Sequence, residues 1–141
     1  MKVPFNINLS GKTAIVTGGS GTLCSAMAYG LAVSGAKVAI IGRNIEKLAS
    51  VSEKLTKNAL DEYNKDVTIK GYSCNVINKD ELTAAYETIK NELGSCDILI
   101  NGAGGNQPGA ITSIEMLKKD KEDSDYSFWN LDEDRIRDVM D

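Results

Sequence analysis

Thr13-Ala14-Ile15-Val16-Thr17-Gly18-Gly19-Ser20-Gly21-Thr22 joins a short apolar run, typical of a buried strand, to a glycine-rich turn and the start of a helix. Backbone N–H groups at a helix N-terminus carry a partial positive charge, and glycines let a ligand approach them closely. A plain tight turn of an α/β fold has the same composition. Here, however, the turn opens the first strand–turn–helix unit, which is the context that a phosphate-binding loop requires. We therefore predict that this turn binds the diphosphate of a dinucleotide.

The alternation of strand and helix continues along the chain. Further strands are predicted at residues 37–41, 67–72 and 97–101. Asn44 is predicted to cap the second helix, and Asn78 with Glu81 to form a capping box at the third. Apolar runs without alternation are typical of parallel strands that are covered on both faces. The sequence thus predicts an α/β fold with a doubly wound parallel sheet (a Rossmann fold). The strand order 3-2-1-4 is the one expected when such a sheet binds a dinucleotide at its switch point.

Composition excludes several classes of function. The 141 residues are predicted to form one domain, residues 1–141, with a net charge of −4 and no histidine. An acidic chain without a basic stripe does not favour a nucleic-acid partner, and no apolar run approaches the ~18 residues that span a membrane. The lack of histidine excludes Ser-His-Asp and Cys-His triads and HExxH zinc sites, and no metal site is predicted.

The cysteine pattern bears on the cellular compartment. The chain has three cysteines, Cys24, Cys74 and Cys96, and no CxxC motif. An odd, scattered set is typical of reduced thiols, so we interpret all three as small core residues. Since the first residues carry no secretory apolar region, we expect a cytoplasmic location.

Three sequence blocks resemble the front, N-terminal portion of the short-chain dehydrogenase/reductase family. They are LSGKTAIVTG at residues 9–18, Cys74-Asn75-Val76 after the third strand, and Asn101-Gly102-Ala103-Gly104 after the fourth. In the family pattern TGxxxGxG, Thr17 and Gly18 match, whereas Thr22 and Cys24 occupy the two later glycine positions. Residues 21–27 and 101–108 also resemble a subgroup of sugar-acid dehydrogenases that includes mannonate (fructuronate) oxidoreductase.

The resemblance implies hydride transfer between a nicotinamide cofactor and a hydroxyl or keto carbon of a sugar acid or polyol. It also implies a small-molecule substrate and a homodimer or homotetramer. The implied cofactor-binding residues fall in three groups: Gly18, Ser20, Gly21, Thr22 and Leu23 at the diphosphate and adjoining ribose, Asn75 and Val76 beside the adenine, and Asn101, Ala103 and Gly104 along the riboses. The side chain of Asn101 can equally tie neighbouring strands together, and the two roles can coexist.

The end of the second strand bears on the choice of cofactor. An acidic residue at this position would bind the ribose 2′-hydroxyl of NAD, but this chain has Gly42 followed by Arg43. A guanidinium can pair with a 2′-phosphate through charge-assisted hydrogen bonds. We therefore predict NADP as the cofactor, with NAD as the alternative. In that alternative, Arg43 is an exposed side chain beside the helix cap Asn44.

The catalytic residues that the resemblance implies are a serine and a YxxxK pair, expected after a fifth strand and hence beyond Asp141. Tyr86 and Lys90 have the YxxxK spacing, but Tyr86 lies on the apolar stripe of the third helix, so we predict that its ring packs against the sheet. Gly11-Lys12-Thr13 precedes its strand and lacks the earlier glycine of a P-loop. We expect a fold truncated before its later strands, and no dehydrogenase activity from this chain alone.

The last part of the chain lacks a clear period. Residues 102–130 are predicted to form a long polar loop, followed by a helix that Asn130 and Glu133 open. Phe128 and Trp129 either anchor this loop or form an apolar wall near the substrate. Two other functions remain open: a nucleotide-binding module without redox activity, and an S-adenosylmethionine methyltransferase, which normally has an acid where Gly42 stands.

Overall fold

The computed structural model describes residues 7–112 and 128–140, and the chain divides into two compact units, Met1–Ala103 and Gly104–Asp141. The first unit alternates strand and helix in the order β1 (Thr13–Thr17), α1 (Thr22–Val33), β2 (Lys37–Gly42), α2 (Ile45–Tyr63), β3 (Ile69–Ser73), α3 (Lys79–Glu92) and β4 (Ile98–Ile100). These strands form one parallel sheet in the order β3-β2-β1-β4. The predicted α/β class and strand order 3-2-1-4 are therefore confirmed.

Strand β1 lies at the centre of the first unit. It pairs with β2 from Thr13–Lys37 to Thr17–Ile41, and with β4 from Ala14–Ile98 to Val16–Ile100. The chain runs outward from β1 to β2 and β3 and then returns to the other side of β1 for β4. In open α/β sheets a crevice for ligands forms where the strand order reverses, at the carboxyl ends of the strands.

Both faces of the sheet are covered, which explains the uninterrupted apolar runs. All five residues of β1 are buried. Alternate side chains of a strand point to opposite faces. Val16 and Ile40 belong to the cluster shared with α1 and α2, whereas Ile15 and Ile41 pack with Ile89 of α3.

The helix ends follow the predicted signals in two places. Gly35, at φ +105°, follows the C-cap of α1 in a conformation that glycine adopts without strain. The side chain of Asn44 accepts a hydrogen bond from the backbone N–H of Lys47 at 2.8 Å, so it caps α2 as predicted.

Three strands differ from their predicted bounds, β2 in that it ends at Gly42 rather than at residue 41. β3 starts at Ile69 rather than at residue 67, and β4 spans Ile98–Ile100 rather than residues 97–101. The carboxylate of Asp97 accepts a hydrogen bond from the backbone N–H of Thr13 at 2.9 Å. The backbone N–H of Asp97 in turn donates to the carbonyl of Thr13 at 2.9 Å, so Asp97 is bonded to β1 although it lies outside β4.

In the second unit, a 3-10 turn at Phe128–Asn130 precedes helix α4, Glu133–Met140. The prediction that Asn130 opens this helix is wrong. Asp132 caps it instead, because its carboxylate accepts hydrogen bonds from the backbone N–H groups of Asp134 (2.9 Å) and Arg135 (3.3 Å). Trp129 is 72% exposed, and residues 113–127 of the predicted loop lie outside the described residues. None of the helices within the described ranges is long and apolar enough to cross a bilayer.

Candidate functional site

The predicted site residues of the first unit all follow the carboxyl end of a strand. Gly18, Ser20, Gly21, Thr22 and Leu23 come after β1, Arg43 after β2, Asn75 and Val76 after β3, and Asn101 and Ala103 after β4. Because the strands are parallel, these residues share one edge of the sheet, and the strand order reverses between β1 and β4 at this edge. Gly104 also follows β4 along the chain, but it begins the second unit.

The turn after β1 requires glycine at its first position. Gly18 has φ +66°, and a Cβ there would lie 2.5 Å from the carbonyl oxygen of Gly102. Its own carbonyl accepts a hydrogen bond from the N–H of Gly21 at 2.9 Å, and the N–H of Gly19 bonds to the carbonyl of Ile41 at 3.1 Å. One hydrogen bond thus closes the turn between Gly18 and Gly21, and the other connects the turn to β2.

The N-terminus of α1 carries no side-chain cap. Gly21 is the N-cap residue, it makes no side-chain hydrogen bond, and the first turn contains no acidic residue. Thr22 and Leu23 are exposed, Leu23 by 68%. The first N–H groups of a helix have no partner within the helix, so this end favours an anion. The geometry therefore suits the phosphate-binding role that the sequence predicts for the turn.

Thr17 and Gly102 join the turn to the loop after β4, and the sequence prediction missed both. The hydroxyl oxygen of Thr17 accepts hydrogen bonds from the backbone N–H groups of Gly102 and Ala103, each at 3.0 Å. A Cβ on Gly102 would collide with the sulfur of Cys24 in α1. Cys24 stands where the family pattern has glycine. Its side chain fits there because the residue that it faces in the loop after β4, Gly102, has no side chain.

A cavity of about 470 Å³ opens on the α3 side of the sheet. It is lined by Ile15, Thr17, Ile41, Val76, Leu82, Tyr86, Cys96, Leu99, Asn101 and Ala103. Predicted site residues from two separate parts of the chain thus line one cavity: Val76 after β3, and Asn101 with Ala103 after β4.

Tyr86 differs in part from its prediction. Its ring faces the sheet side, as the apolar stripe indicates, but it lines the cavity and remains 37% exposed. Lys90, its partner in the YxxxK spacing, forms an ion pair with Glu87 at 3.9 Å. Cys24 and Cys74 are buried as predicted, whereas Cys96 is half-buried.

A polar corner lies at the end of β2. A Cβ on Gly42 would lie 3.7 Å from the hydroxyl oxygen of Ser20 and 3.6 Å from Leu48, which are ordinary contacts. Arg43 is exposed, and its carbonyl accepts a hydrogen bond from the hydroxyl of Ser73 at 3.2 Å. Ser20 of the glycine turn and the predicted cofactor-selecting position 42 are therefore neighbours.

The predicted capping box at α3 is wrong in one half. The side-chain oxygen of Asn78 accepts from the N–H groups of Asp80 and Glu81, which is the predicted cap. The carboxylate of Glu81 instead accepts from the backbone N–H of Asn75 at 2.9 Å and the side-chain amide of Asn78 at 3.0 Å. The N–H of Asn78, which Glu81 would bond in a capping box, already bonds to the carbonyl of Asn75 at 2.9 Å.

The thiol of Cys74 precedes this turn and is buried. Burial, and next the nearby carboxylate of Glu81, raise the pKa of the Cys74 thiol, so the thiol keeps its proton. Within residues 7–112 and 128–140, no group of three or more Cys, Asp or Glu residues is arranged to hold a metal ion.

Known proteins with similar sequences belong to the family that the sequence blocks of this chain resemble. The family model described as short chain dehydrogenase matches residues 12–124. The "Uncharacterized oxidoreductase UxuB" of Bacillus subtilis is 43% identical over 131 residues, which cover 93% of this chain and 44% of that protein. The 2-dehydro-3-deoxy-D-gluconate 5-dehydrogenase of Formosa agariphila is 39% identical over 98 residues, which cover 69% of this chain and 34% of that protein.

A solved structure extends the likeness to three dimensions. A candidate D-mannonate oxidoreductase from Haemophilus influenza with bound NAD matches with a TM-score of 0.78 and 35% identity, covering 95% of this chain and 45% of that one. The chain thus spans less than half the length of each of these three proteins.

Proposed function

Since the chain belongs to the short-chain dehydrogenase family, we propose that its protein is a nicotinamide-dependent oxidoreductase that acts on a hydroxyl or keto carbon of a sugar acid or polyol. One observation carries this proposal: the glycine turn and the uncapped end of α1 lie where the strand order reverses. The family match favours an oxidoreductase over a non-catalytic nucleotide-binding module or a methyltransferase.

The residues present fit a dinucleotide. A side chain at Gly18 would fill the space in front of Gly102, and α1 offers its first N–H groups to an anion. In this proposal the diphosphate and adjoining ribose are held by residues 18–23, the adenine lies beside Asn75 and Val76, and the riboses lie along residues 101–104. When bound, the nicotinamide supplies or accepts the hydride; the part of the chain described here binds and orients the cofactor.

The substrate class is supported by the relatives. The Formosa agariphila protein is named for a sugar-acid substrate, and so is the Haemophilus structure. Both match this chain at well above 30% identity. We propose a sugar acid or related polyol on this ground, and a homo-oligomer as the assembly that the family resemblance implies.

We further propose a preference for NADP. Position 42 carries no acid, and the exposed Arg43 lies at the same edge of the sheet as the glycine turn. A guanidinium there can pair with a 2′-phosphate. Because the Haemophilus structure holds NAD, the preference is the part of the proposal that needs a direct measurement.

The test is a fluorescence titration of the purified protein with NADPH and NADH, repeated with Arg43→Ala and with Lys47→Ala as a control cation on the neighbouring helix. Loss of a charge-assisted hydrogen bond should weaken NADPH binding by about 10- to 100-fold in Arg43→Ala and leave NADH binding unchanged. Equal affinity for both cofactors, unaffected by Arg43→Ala, would contradict the arginine role. Failure to bind either dinucleotide would contradict the proposed function.

A further inference from the structure

One carboxylate holds the turn between β3 and α3 at both of its ends. Residues 75–78 form this turn, which we call the β3–α3 turn. At its start, the backbone N–H of Asn75 donates to one oxygen of Glu81 at 2.9 Å; at its end, the side-chain amide of Asn78 donates to the other at 3.0 Å. Glu81 lies in the first turn of α3, outside the β3–α3 turn itself.

Asn78 also joins the end of the β3–α3 turn to α3, because it caps that helix. Among the described residues, however, only the bond to Glu81 joins the start of the turn, at Asn75, to α3. The N–H of Asn78 bonds to the carbonyl of Asn75 at 2.9 Å, and the N–H of Ile77 bonds to the side-chain oxygen of Asn75 at 3.3 Å. Both bonds are internal, so they set the shape of the turn but not its orientation. Glu81 therefore connects the shape of the turn to the helix behind it.

We propose that Glu81 is a positioning residue for the adenine subsite of the cofactor. It acts through Asn75 and Val76, which stand at the carboxyl edge of the sheet; Val76 also lines the cavity together with Asn101 and Ala103. This inference rests on the proposed function, because it assumes that a dinucleotide lies along this edge. Holding the backbone of Asn75 and Val76 in one orientation before the ligand arrives reduces the ordering cost of binding.

The role of Glu81 can be separated from the stability of α3. Asn78 caps the helix with its own side-chain oxygen, which accepts from Asp80 and Glu81 through their backbone N–H groups. These bonds do not need the Glu81 side chain. Glu81→Ala therefore frees the β3–α3 turn and leaves the helix cap in place.

The experiment divides the cofactor into its two halves. Affinities for ADP-ribose, which contains the adenosine and diphosphate common to both dinucleotides but not the 2′-phosphate of NADP, and for reduced nicotinamide mononucleotide are measured by calorimetry on the purified protein. Glu81→Ala should weaken ADP-ribose binding by about tenfold, the effect of one lost hydrogen bond to a charged group, and leave mononucleotide binding unchanged. Glu81→Gln keeps one acceptor for the N–H of Asn75, so it should restore part of the loss.

Glu87→Ala is the matched control, since Glu87 lies on the same helix and contacts Lys90 rather than the turn. It should bind both half-ligands as the unchanged protein does. If Glu81→Ala binds ADP-ribose with the original affinity, or loses both half-ligands equally, the positioning role is refuted and the proposed function stands. If the unchanged protein binds neither ADP-ribose nor a dinucleotide, the proposed function fails, and this inference fails with it.

Discussion

The contact between Gly102 and Cys24 gives a sharp prediction about how the site is built. A Cβ on Gly102 would collide with the sulfur of Cys24 and lie 3.0 Å from the carbonyl oxygen of Thr17. Cys24 is 8% exposed, so its sulfur has little room to move away. Gly102→Ala must therefore push α1 and the loop after β4 apart.

The expected cost follows from overpacking, which typically destabilises by 1–3 kcal/mol. Taking about 2 kcal/mol and a chain of this size, the melting temperature should fall by about 6 °C. Cys24→Ala removes the colliding sulfur, so the double variant should recover most of that loss. The contact with the Thr17 carbonyl remains, and recovery should stay incomplete. A coupling of about 1 kcal/mol or more between the two positions is expected.

The assay is thermal or urea unfolding of the unchanged protein, both single variants and the double variant. Gly104→Ala is the control, because a Cβ there meets no atom within 4 Å among the described residues. It should leave the melting temperature unchanged. If the effects of Gly102→Ala and Cys24→Ala simply add, the two residues do not press on each other and the reasoning is wrong.

Gly42→Asp should lower the affinity for NADP relative to NAD by about tenfold or more, since two unit charges ~5 Å apart near a surface repel by about 3 kcal/mol before solvent screening reduces the effect. The variant should fold, because a Cβ at position 42 would lie 3.6 Å from Leu48, which is an ordinary contact. If a cofactor titration gave the same ratio of NADP to NAD affinity as in the unchanged protein, the predicted charge repulsion would be contradicted. The ammonium of Lys12, and then the backbone N–H of Thr13, hold the pKa of Asp97 below its usual value. The resulting stabilisation is present above the unfolded pKa of about 3.9 and is lost as the pH falls through the lower folded pKa. Asp97→Asn should therefore have a lower melting temperature than the unchanged protein at pH 7. The difference should shrink as the pH falls below the unfolded pKa of about 3.9 and vanish once the folded carboxyl is protonated; a difference that stays constant during this acid titration would exclude the effect.

Local chemistry was enough to predict the fold. A strand buried on both faces is mostly apolar, and many helices start at a residue whose side chain caps them. Residues 13–17 and Asn44 satisfy these conditions and were placed correctly. The predicted strand order rested instead on the glycine-rich turn after the first strand, because a sheet that binds a dinucleotide there has the order 3-2-1-4.

The details of the site depend on contacts between distant residues, which local patterns do not contain. Thr17 and Gly102 are separated by 85 positions, and nothing near either residue indicates that one hydroxyl would bind two amides of the other loop. Glu81 has the spacing of a capping box, but the competing bond between Asn78 and Asn75 redirects its carboxylate. In both cases a polar group has more than one possible partner, and the fold rather than the local sequence decides between them.

The hydrogen bonds of Thr17 also bear on how a dinucleotide would be oriented in the crevice between the α1 side and the loop after β4. The N–H groups of Gly102 and Ala103 both donate to the Thr17 hydroxyl, so they are not offered to a ligand. Backbone donors for a diphosphate must then come from the α1 side, where Gly21 leaves the helix N-terminus without a side-chain cap. The loop after β4 can still present carbonyl oxygens and the side chain of Asn101. Ribose hydroxyls donate hydrogen bonds, whereas phosphates only accept them. A dinucleotide in this crevice therefore finds donors for its diphosphate when the diphosphate faces α1, and acceptors for its ribose hydroxyls when the sugars face the loop after β4.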